Sequence, residues 1–262
     1  MKIATAQISC SLGDLEANLR KIAIFSARAK NAGADLIVFP EMADTGYAMP
    51  VIQDNAAFWS SGPVPTLQEI ARTHSIAIVC GVSERDGASI YNSQVFVDQA
   101  GTILTKYRKT HLFAVAPIDE HKCFSPGNSF TALPFAGLCF GLSICYDLRF
   151  PEMYRHLAAE ENVNAFIISS AWPFPRVEHL RALALARAIE NQSYVILANR
   201  VGTDDGVSFC GSSTIIDPNG IVVASASTDH EELLEAELSE DLVATVRGRM
   251  DVFAHRRRDL YK

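Results

Sequence analysis

No segment of the 262-residue sequence holds the roughly 18 consecutive apolar residues that a helix needs to cross a bilayer. The opening MKIATAQISC has neither the long apolar core nor the small-residue cleavage site of a secretory signal. A cytoplasmic protein without a membrane partner is therefore expected. Basic charge is in short supply: 23 Lys and Arg stand against 30 Asp and Glu, a formal net charge of −7. That excludes a general nucleic-acid partner, which needs a basic surface. The one basic cluster, HRRRDLYK at the C-terminus, is short and reads as a solvated or subunit-contacting tail. The six cysteines (Cys10, Cys80, Cys123, Cys139, Cys145 and Cys210) include no C-x-x-C pair, so neither a disulfide framework nor a zinc site is expected. Pro/Gly/Ser-rich linkers, low-complexity tracts and repeats of fixed period are also missing. One domain spanning residues 1–262 is the expectation.

What is present is an alternation of apolar runs and helical patterns, the mark of a layered α/β fold. KIATAQI reads as a strand, and Leu15 to Asn31 as an amphipathic helix carrying Leu15, Leu19, Ile22, Ile24 and Phe25. ADLIVFPE is a second strand, and a helix around Leu67 to His74 precedes the strand IAIVCGVSE. YNSQVFVDQAGTILTKYRK is a hairpin turning at Asp98 to Gly101. Two strand-helix units follow: GLCFGLSIC with a helix from Pro151 to Glu161, and NAFIISSAW with a helix from about Val177 to Gln192. YVILANRV and a second hairpin turning at Pro218-Asn219-Gly220 complete the pattern. Hairpins impose antiparallel neighbours and strand-helix-strand units give parallel ones, so mixed sheets are expected.

Three reactive groups end three of these runs. Glu41 closes LIVFPE, Lys109 closes TILTKYRK, and Cys145 closes GLSIC within SICYDLRFPE. Each has a plain structural reading: a loop carboxylate, a solvated lysine, a buried inert thiol. Strand ends in α/β folds converge on one edge of a sheet, however, where ligands bind. A thiol near its ordinary pKa of about 8.5 is mostly protonated at neutral pH, so a nucleophilic cysteine needs a base or a cation. Glu41 can supply the base. Lys109 can favour the thiolate and hold the oxygen that becomes negative when a carbonyl is attacked. Together they describe acyl transfer without metal or cofactor.

FPEM with Glu41, KYRKTHLF with Lys109 and SICYDLRFPE with Cys145, in that order, strongly resemble the nitrilase superfamily of carbon-nitrogen hydrolases. The resemblance runs from KIATAQ through ARAIENQSYVILANRVG and GSSTIIDPNG to RRRDLY. It implies a four-layer αββα sandwich with two mixed β-sheets, a Glu-Lys-Cys triad, and a homodimer or higher oligomer with the tail of about residues 240–262 at the interface. Glu120, in IDEHKCFSPG, matches an additional glutamate that many members place near the lysine. The chain is most similar to the Nit-type amidases, in particular the ω-amidase group that acts on 2-oxoglutaramate. Trp172, Pro173, Arg176 and His179 match that group's pattern, and Leu180 departs from it where relatives often carry an aromatic.

The implied reaction is attack of Cys145 on a terminal amide of a small carboxylic acid, with Glu41 as base and acid and Lys109 with the Tyr146 backbone N–H holding the oxyanion. Glu120 would orient Lys109, and Arg149 would brace the turn. Tyr47 and Trp172 would wall the substrate, and Arg176 would grip its carboxylate. Against this stand Arg176 as a helix cap near Glu178, Trp172 as core, and Glu120 as a surface carboxylate. Rival readings are a Cys-His hydrolase with His111 as base, and a weak metal cluster of Glu120, His121 and Cys123. A non-catalytic binding protein of the same fold is a third. Deaminated glutathione, N-carbamoyl amino acids and aliphatic amides are alternative substrates of the same triad.

Overall fold

Two mixed sheets stack face to face with helices on both outer surfaces, the four-layer αββα arrangement. The architecture is seen in a computed structural model that describes residues 1–260; Tyr261 of RRRDLY and Lys262, which end the expected interface tail, lie outside the described residues.

The chain enters the first sheet at β1 (Lys2–Gln7) and crosses through α1 (Leu15–Asn31) to β2 (Leu36–Val38). A short α2 (Met49–Asn55), β3 (Ala57–Phe58) and α3 (Pro63–His74) lead to β4 (Ala77–Asp86), β5 (Ser89–Val97) and β6 (Ile103–Arg108). A small hairpin, β7 (Ala114–Val115) and β8 (Ile118–Asp119), passes the chain to the second sheet. There β9 (Thr131–Phe135), β10 (Leu138–Ile144), α4 (Pro151–Glu160), β11 (Ala165–Ser170), α5 (Val177–Asn191) and β12 (Tyr194–Asn199) follow. A second small hairpin, β13 (Thr203–Asp204) and β14 (Val207–Ser208), precedes β15 (Thr214–Ile216) and β16 (Val222–Ser225). β17 (Glu232–Glu237) and α6 (Glu240–Arg249) end the regular structure.

Strand order is β17-β1-β2-β4-β5-β6 in the first sheet, with β3 beside β4, and β16-β15-β12-β11-β10-β9 in the second. β1, β2 and β4 run parallel, as do β10, β11 and β12, because helix-containing crossovers join each to the next. Alternation along β1 splits its side chains between two cores. Ala4 and Ala6 face α1 and α3, against Ile22, Phe25 and Leu67, whereas Ile3 faces the second sheet. Phe96 of β5 meets Phe135 and Phe140 of the second sheet at ring-centre distances of 5.0 and 6.1 Å. Such aromatic pairs add about 0.5–1.5 kcal/mol each beyond the area they bury.

The structure departs from the sequence reading at one side chain and adds two strands that the reading did not assign. Ile24 is 59% exposed, on the solvent face of α1, because the apolar stripe that meets the sheet runs through Leu19, Ile22, Phe25 and Ala29. ELLEAE, rich in helix-forming residues, is instead the strand β17, paired antiparallel along all of β1; an open strand edge outweighs weak local propensity. β9 carries Pro134, which is compatible with a strand only because it lies at the edge of its sheet. No helix among the described residues is long and apolar enough to cross a membrane.

Candidate active site

The C-terminal ends of the parallel strands of both sheets meet at one place. β2 runs into Phe39 and Pro40, and Glu41 follows with its side chain fully buried. The loop lies directly on β4: a Cβ on Gly81 would fall 2.6 Å from both Glu41 Cα and Pro40 O, so only glycine admits this approach. Lys109 directly follows β6. Its N–H donates to the Asn92 carbonyl at 2.8 Å and its carbonyl accepts the Gly127 N–H at 2.8 Å. Glu120 opens a short 3-10 turn after β8, locked reciprocally to Phe113: the Glu120 N–H donates to Phe113 O at 2.9 Å, and Glu120 Oε2 accepts the Phe113 N–H at 2.6 Å.

Cys145 directly follows β10 at a φ of 47°, in the left-handed region that L residues avoid. A 3-10 turn over Cys145–Arg149 carries the chain from there into α4. Buried Asp147 holds this elbow by accepting the Ile144 N–H at 2.9 Å, the Tyr107 hydroxyl at 2.8 Å and the His111 N–H at 3.1 Å. Arg187 braces it from α5, with two guanidinium nitrogens on Leu148 O at 3.1 and 2.7 Å. The brace is therefore Arg187 and not Arg149, whose guanidinium lies 4.7 Å over the Trp172 ring and 3.2 Å from His179 Nδ1.

The predicted residues converge. Lys109 Nζ donates to Glu41 Oε1 at 2.9 Å and to Glu120 Oε1 at 2.8 Å, and all three side chains are buried. An ammonium has three donors; the third has no acceptor among the described residues, and the charge is felt at Cys145. Glu41 Oε2 accepts the Ala171 N–H at 2.8 Å, and that amide also faces Cys145. Glu120 is no surface carboxylate, being fully buried. Tyr47 goes further than a pocket wall: its hydroxyl donates to Glu120 Oε1 at 2.6 Å, while its N–H donates to Asp204, itself paired with Arg200.

Burial raises the Cys145 thiol well above its ordinary pKa and the Glu41 charge adds to this, so the opposing pull of Lys109 does not prevail. Lys109 does pull towards the thiolate, as expected, but burial and the Glu41 charge pull the other way and more strongly. Burial likewise raises Glu41, partly offset by Lys109 and reinforced by Glu120. Burial alone would lower Lys109, but the charges of Glu120 and then Glu41 outweigh it and keep the ammonium protonated. The resting site holds a protonated thiol beside a carboxylate of raised basicity and a fixed cation, a set that can move one proton from sulfur to oxygen and back.

A narrow cavity of about 20 Å³ opens onto Cys145, lined also by Tyr47, Phe113, Tyr146, Arg149, Trp172 and Arg176. Glu41, Lys109 and Glu120 are absent from its lining and lie behind the thiol. Arg176 sits at the start of α5, with its carbonyl accepting the Trp172 indole N–H at 2.9 Å; Glu178 pairs with Arg181 instead. Neither Arg149 nor Arg176 has a carboxylate partner among the described residues. Trp172 is at once 2% exposed and part of the cavity wall. Leu180 is core and does not reach the cavity. His111 is turned away: its Nδ1 is 2.7 Å from Asp147 and its ring stacks on Phe150 at 3.8 Å. Among the described residues no cluster of three His, Cys, Asp or Glu side chains has metal-site geometry.

Asn92 was not singled out from the sequence. Its side-chain nitrogen donates to Glu41 Oε1 at 2.6 Å and lies 3.3 Å from Glu120 Oε1. The signal was there: Asn92, Ser93 and Gln94 form a polar run inside a strand that is buried from Asn92 onward, and strands disfavour Asn.

The carbon-nitrogen hydrolase family matches residues 2–247. The 2-oxoglutaramate amidase of Bacillus subtilis (strain 168) is 35% identical over 260 residues, 99% of this chain and 98% of that protein. The structure of Saccharomyces cerevisiae Nit3, a member of branch 10 of the nitrilase superfamily, gives a TM-score of 0.89 at 30% identity, covering 98% of this chain and 96% of that one. A double mutant of the amidase from Nesterenkonia sp. AN1 in complex with acrylamide gives a TM-score of 0.89 at 27% identity, covering 100% and 95%. With the family match reaching across both sheets and these relatives aligned nearly end to end, the chain belongs to the carbon-nitrogen hydrolases of the nitrilase superfamily.

Proposed function

We propose that the protein is a cofactor-independent thiol amidase that hydrolyses the terminal amide of a small carboxylic acid, 2-oxoglutaramate above all, to the free acid and ammonia. The observation that carries the amidase reading is the Lys109 ammonium, fixed by two buried carboxylates at 2.8 and 2.9 Å with one donor left over beside Cys145. Glu41 accepts the thiol proton as sulfur attacks the amide carbon. The tetrahedral oxyanion forms against that spare Lys109 donor and the Tyr146 N–H, the first amide of the turn after the thiol. Glu41 returns the proton to the departing nitrogen, ammonia leaves, and the same carboxylate activates the water that hydrolyses the thioester.

Arg176 supports the choice of an acid as substrate: it lines the cavity and has no carboxylate of its own among the described residues. The Bacillus relative supports the particular compound. Small neutral amides are the second reading, favoured by the acrylamide held by the Nesterenkonia enzyme. Ammonia release from 2-oxoglutaramate, glutaramate, N-carbamoyl amino acids and short aliphatic amides, each against a Cys145→Ala control, separates them. Equal rates with and without Cys145 would end the amidase reading, and preference for neutral amides would move the substrate to the second.

The reading includes one domain, a cytoplasmic setting in keeping with six free cysteines, and a dimer built on the outer face of α5 and the tail from residue 240. Ile189, Ile221, Val222 and Val223, each about half exposed, offer an apolar patch beside α5. A monomer mass by light scattering at micromolar concentration removes the dimer.

A further inference from the structure

The proposed base must be ionised in surroundings that disfavour its charge. Four charged or titratable side chains face Glu41 from other segments: Lys109 after β6, Glu120 after β8, Cys145 after β10, and Tyr47 before α2. Lys109 is the cation among them, and Glu41 shares it with Glu120.

We propose that Asn92 is a positioning residue that keeps Glu41 ionised and aimed, by donating its side-chain amide to Glu41 and Glu120 at once. The inference rests on the reading of Glu41 as the base. Asn92 lies in β5, is 1% exposed and does not line the cavity, so it acts through Glu41 and not on the substrate. It touches every charged member of the cluster behind the thiol. Its Nδ2 is 2.6 Å from Glu41 Oε1 and 3.3 Å from Glu120 Oε1, and its carbonyl takes the Lys109 N–H at 2.8 Å.

The orientation of this amide follows from the same contacts. Asn92 Oδ1 is buried without a hydrogen-bond partner, and rotating the group to find one would set that oxygen against two carboxylates. An arrangement that leaves one polar atom unpaired is retained because the other end stabilises charge. A neutral donor favours the ionised form of Glu41 without adding charge of its own. Serine is too short to reach both oxygens, and aspartate adds a third carboxylate to a cluster with one ammonium.

The test is the pH dependence of kcat/KM for Asn92→Ser and Asn92→Ala, beside wild type and Glu41→Gln. Iodoacetamide alkylation of Cys145 is read in parallel, which needs no knowledge of the substrate. Loss of a hydrogen bond to a carboxylate raises its pKa, so the acid limb moves up by about one pH unit or more, while the rate on the plateau falls less than about tenfold. A uniform loss at every pH with the limb unmoved marks a structural asparagine and overturns the proposal. An acid limb that survives in Glu41→Gln overturns the base reading and this proposal with it, which distinguishes the two failures. If the shorter variants do not fold, Asn92→Asp keeps the shape: it holds a proton in order to donate, so its activity falls as pH rises and that proton leaves. A profile parallel to wild type in that variant also overturns the proposal.

Discussion

Glu41 Oε2 accepts the N–H of Ala171 at 2.8 Å, a bond that joins the loop after β2 in the first sheet to the end of β11 in the second. Behind it, Gln94 of β5 donates to Ser169 of β11 at 2.7 Å, and Ser169 donates to Phe39 O at 2.7 Å. The site is thus tied across the interface between the sheets, and the proposed base is aimed by the strand that runs beside the thiol.

Both oxygens of Glu41 accept hydrogen bonds, so Glu41→Gln turns one of them into a donor facing another donor. No turnover is expected, together with a loss of about 1–3 kcal/mol in unfolding free energy. Cys145→Ala is also expected to be inactive, but to melt close to wild type, because alanine removes the nucleophile and little volume. Ammonia release and thermal melts check both. Glu41→Gln keeping more than about a tenth of wild-type turnover would exclude it as the base.

Activity against pH has a sign that follows from burial. Glu41 must be unprotonated to accept the thiol proton, so activity is lost as pH falls through its raised pKa. Cys145 must hold that proton, so activity is lost as pH rises through its own raised pKa. Both limbs of kcat/KM are therefore displaced upward, the lower one above the ordinary carboxylate range of about 4.3 and the upper one above the ordinary thiol value of about 8.5. A lower limb at the ordinary carboxylate value, in a pH series on a neutral amide, contradicts this.

Lys109→Met leaves Glu41 and Glu120 buried without their shared cation. The expected outcome is a fall in kcat on the order of 10²-fold or more from the missing oxyanion donor. Stability drops by about 3–5 kcal/mol at neutral pH, and part of it returns on acidification as the carboxylates take up protons. Chemical denaturation at two pH values reads the stability. A variant altered in KM alone would move Lys109 out of the reaction.

His111→Ala tests the rival dyad. His111 is engaged by Asp147 and stacked on Phe150, so its loss is expected to cost about 1–2 kcal/mol of stability and leave most turnover intact. Inactivation as complete as that of Cys145→Ala would favour a Cys-His hydrolase.

Arg176→Lys keeps a charge at the cavity mouth and loses the fork that fits a carboxylate. Use of 2-oxoglutaramate is expected to fall by about tenfold or more while short neutral amides are spared. Equal loss on both substrates would make the arginine structural.

Much of this was legible in the order of residues. The alternation of apolar runs with helical patterns marked an α/β fold with mixed sheets, while the four-layer stacking came from the resemblance to the nitrilase superfamily. Asp98 and Asp217 mark the two hairpin turns, where each side chain accepts backbone N–H groups of the turn that follows it. Glu41, Lys109 and Cys145 stood out because each ends an apolar run. β17 did not, since ELLEAE has no strand pattern of its own and takes its form from the edge of β1.

The sequence by itself determined which chemical groups are available and that each stands at the end of a strand, because periodicity and strand length are local properties. Only the tertiary structure decided how they act. Glu41 and Ala171 are 130 positions apart, and Glu41 and Lys109 are 68 apart. Their meeting depends on two sheets packing face to face, which no local pattern encodes. The same holds for protonation. A thiol beside a lysine suggests a thiolate, but enclosure in a low-dielectric interior, with the Glu41 carboxylate alongside, outweighs the lysine, and enclosure is a property of the assembled fold.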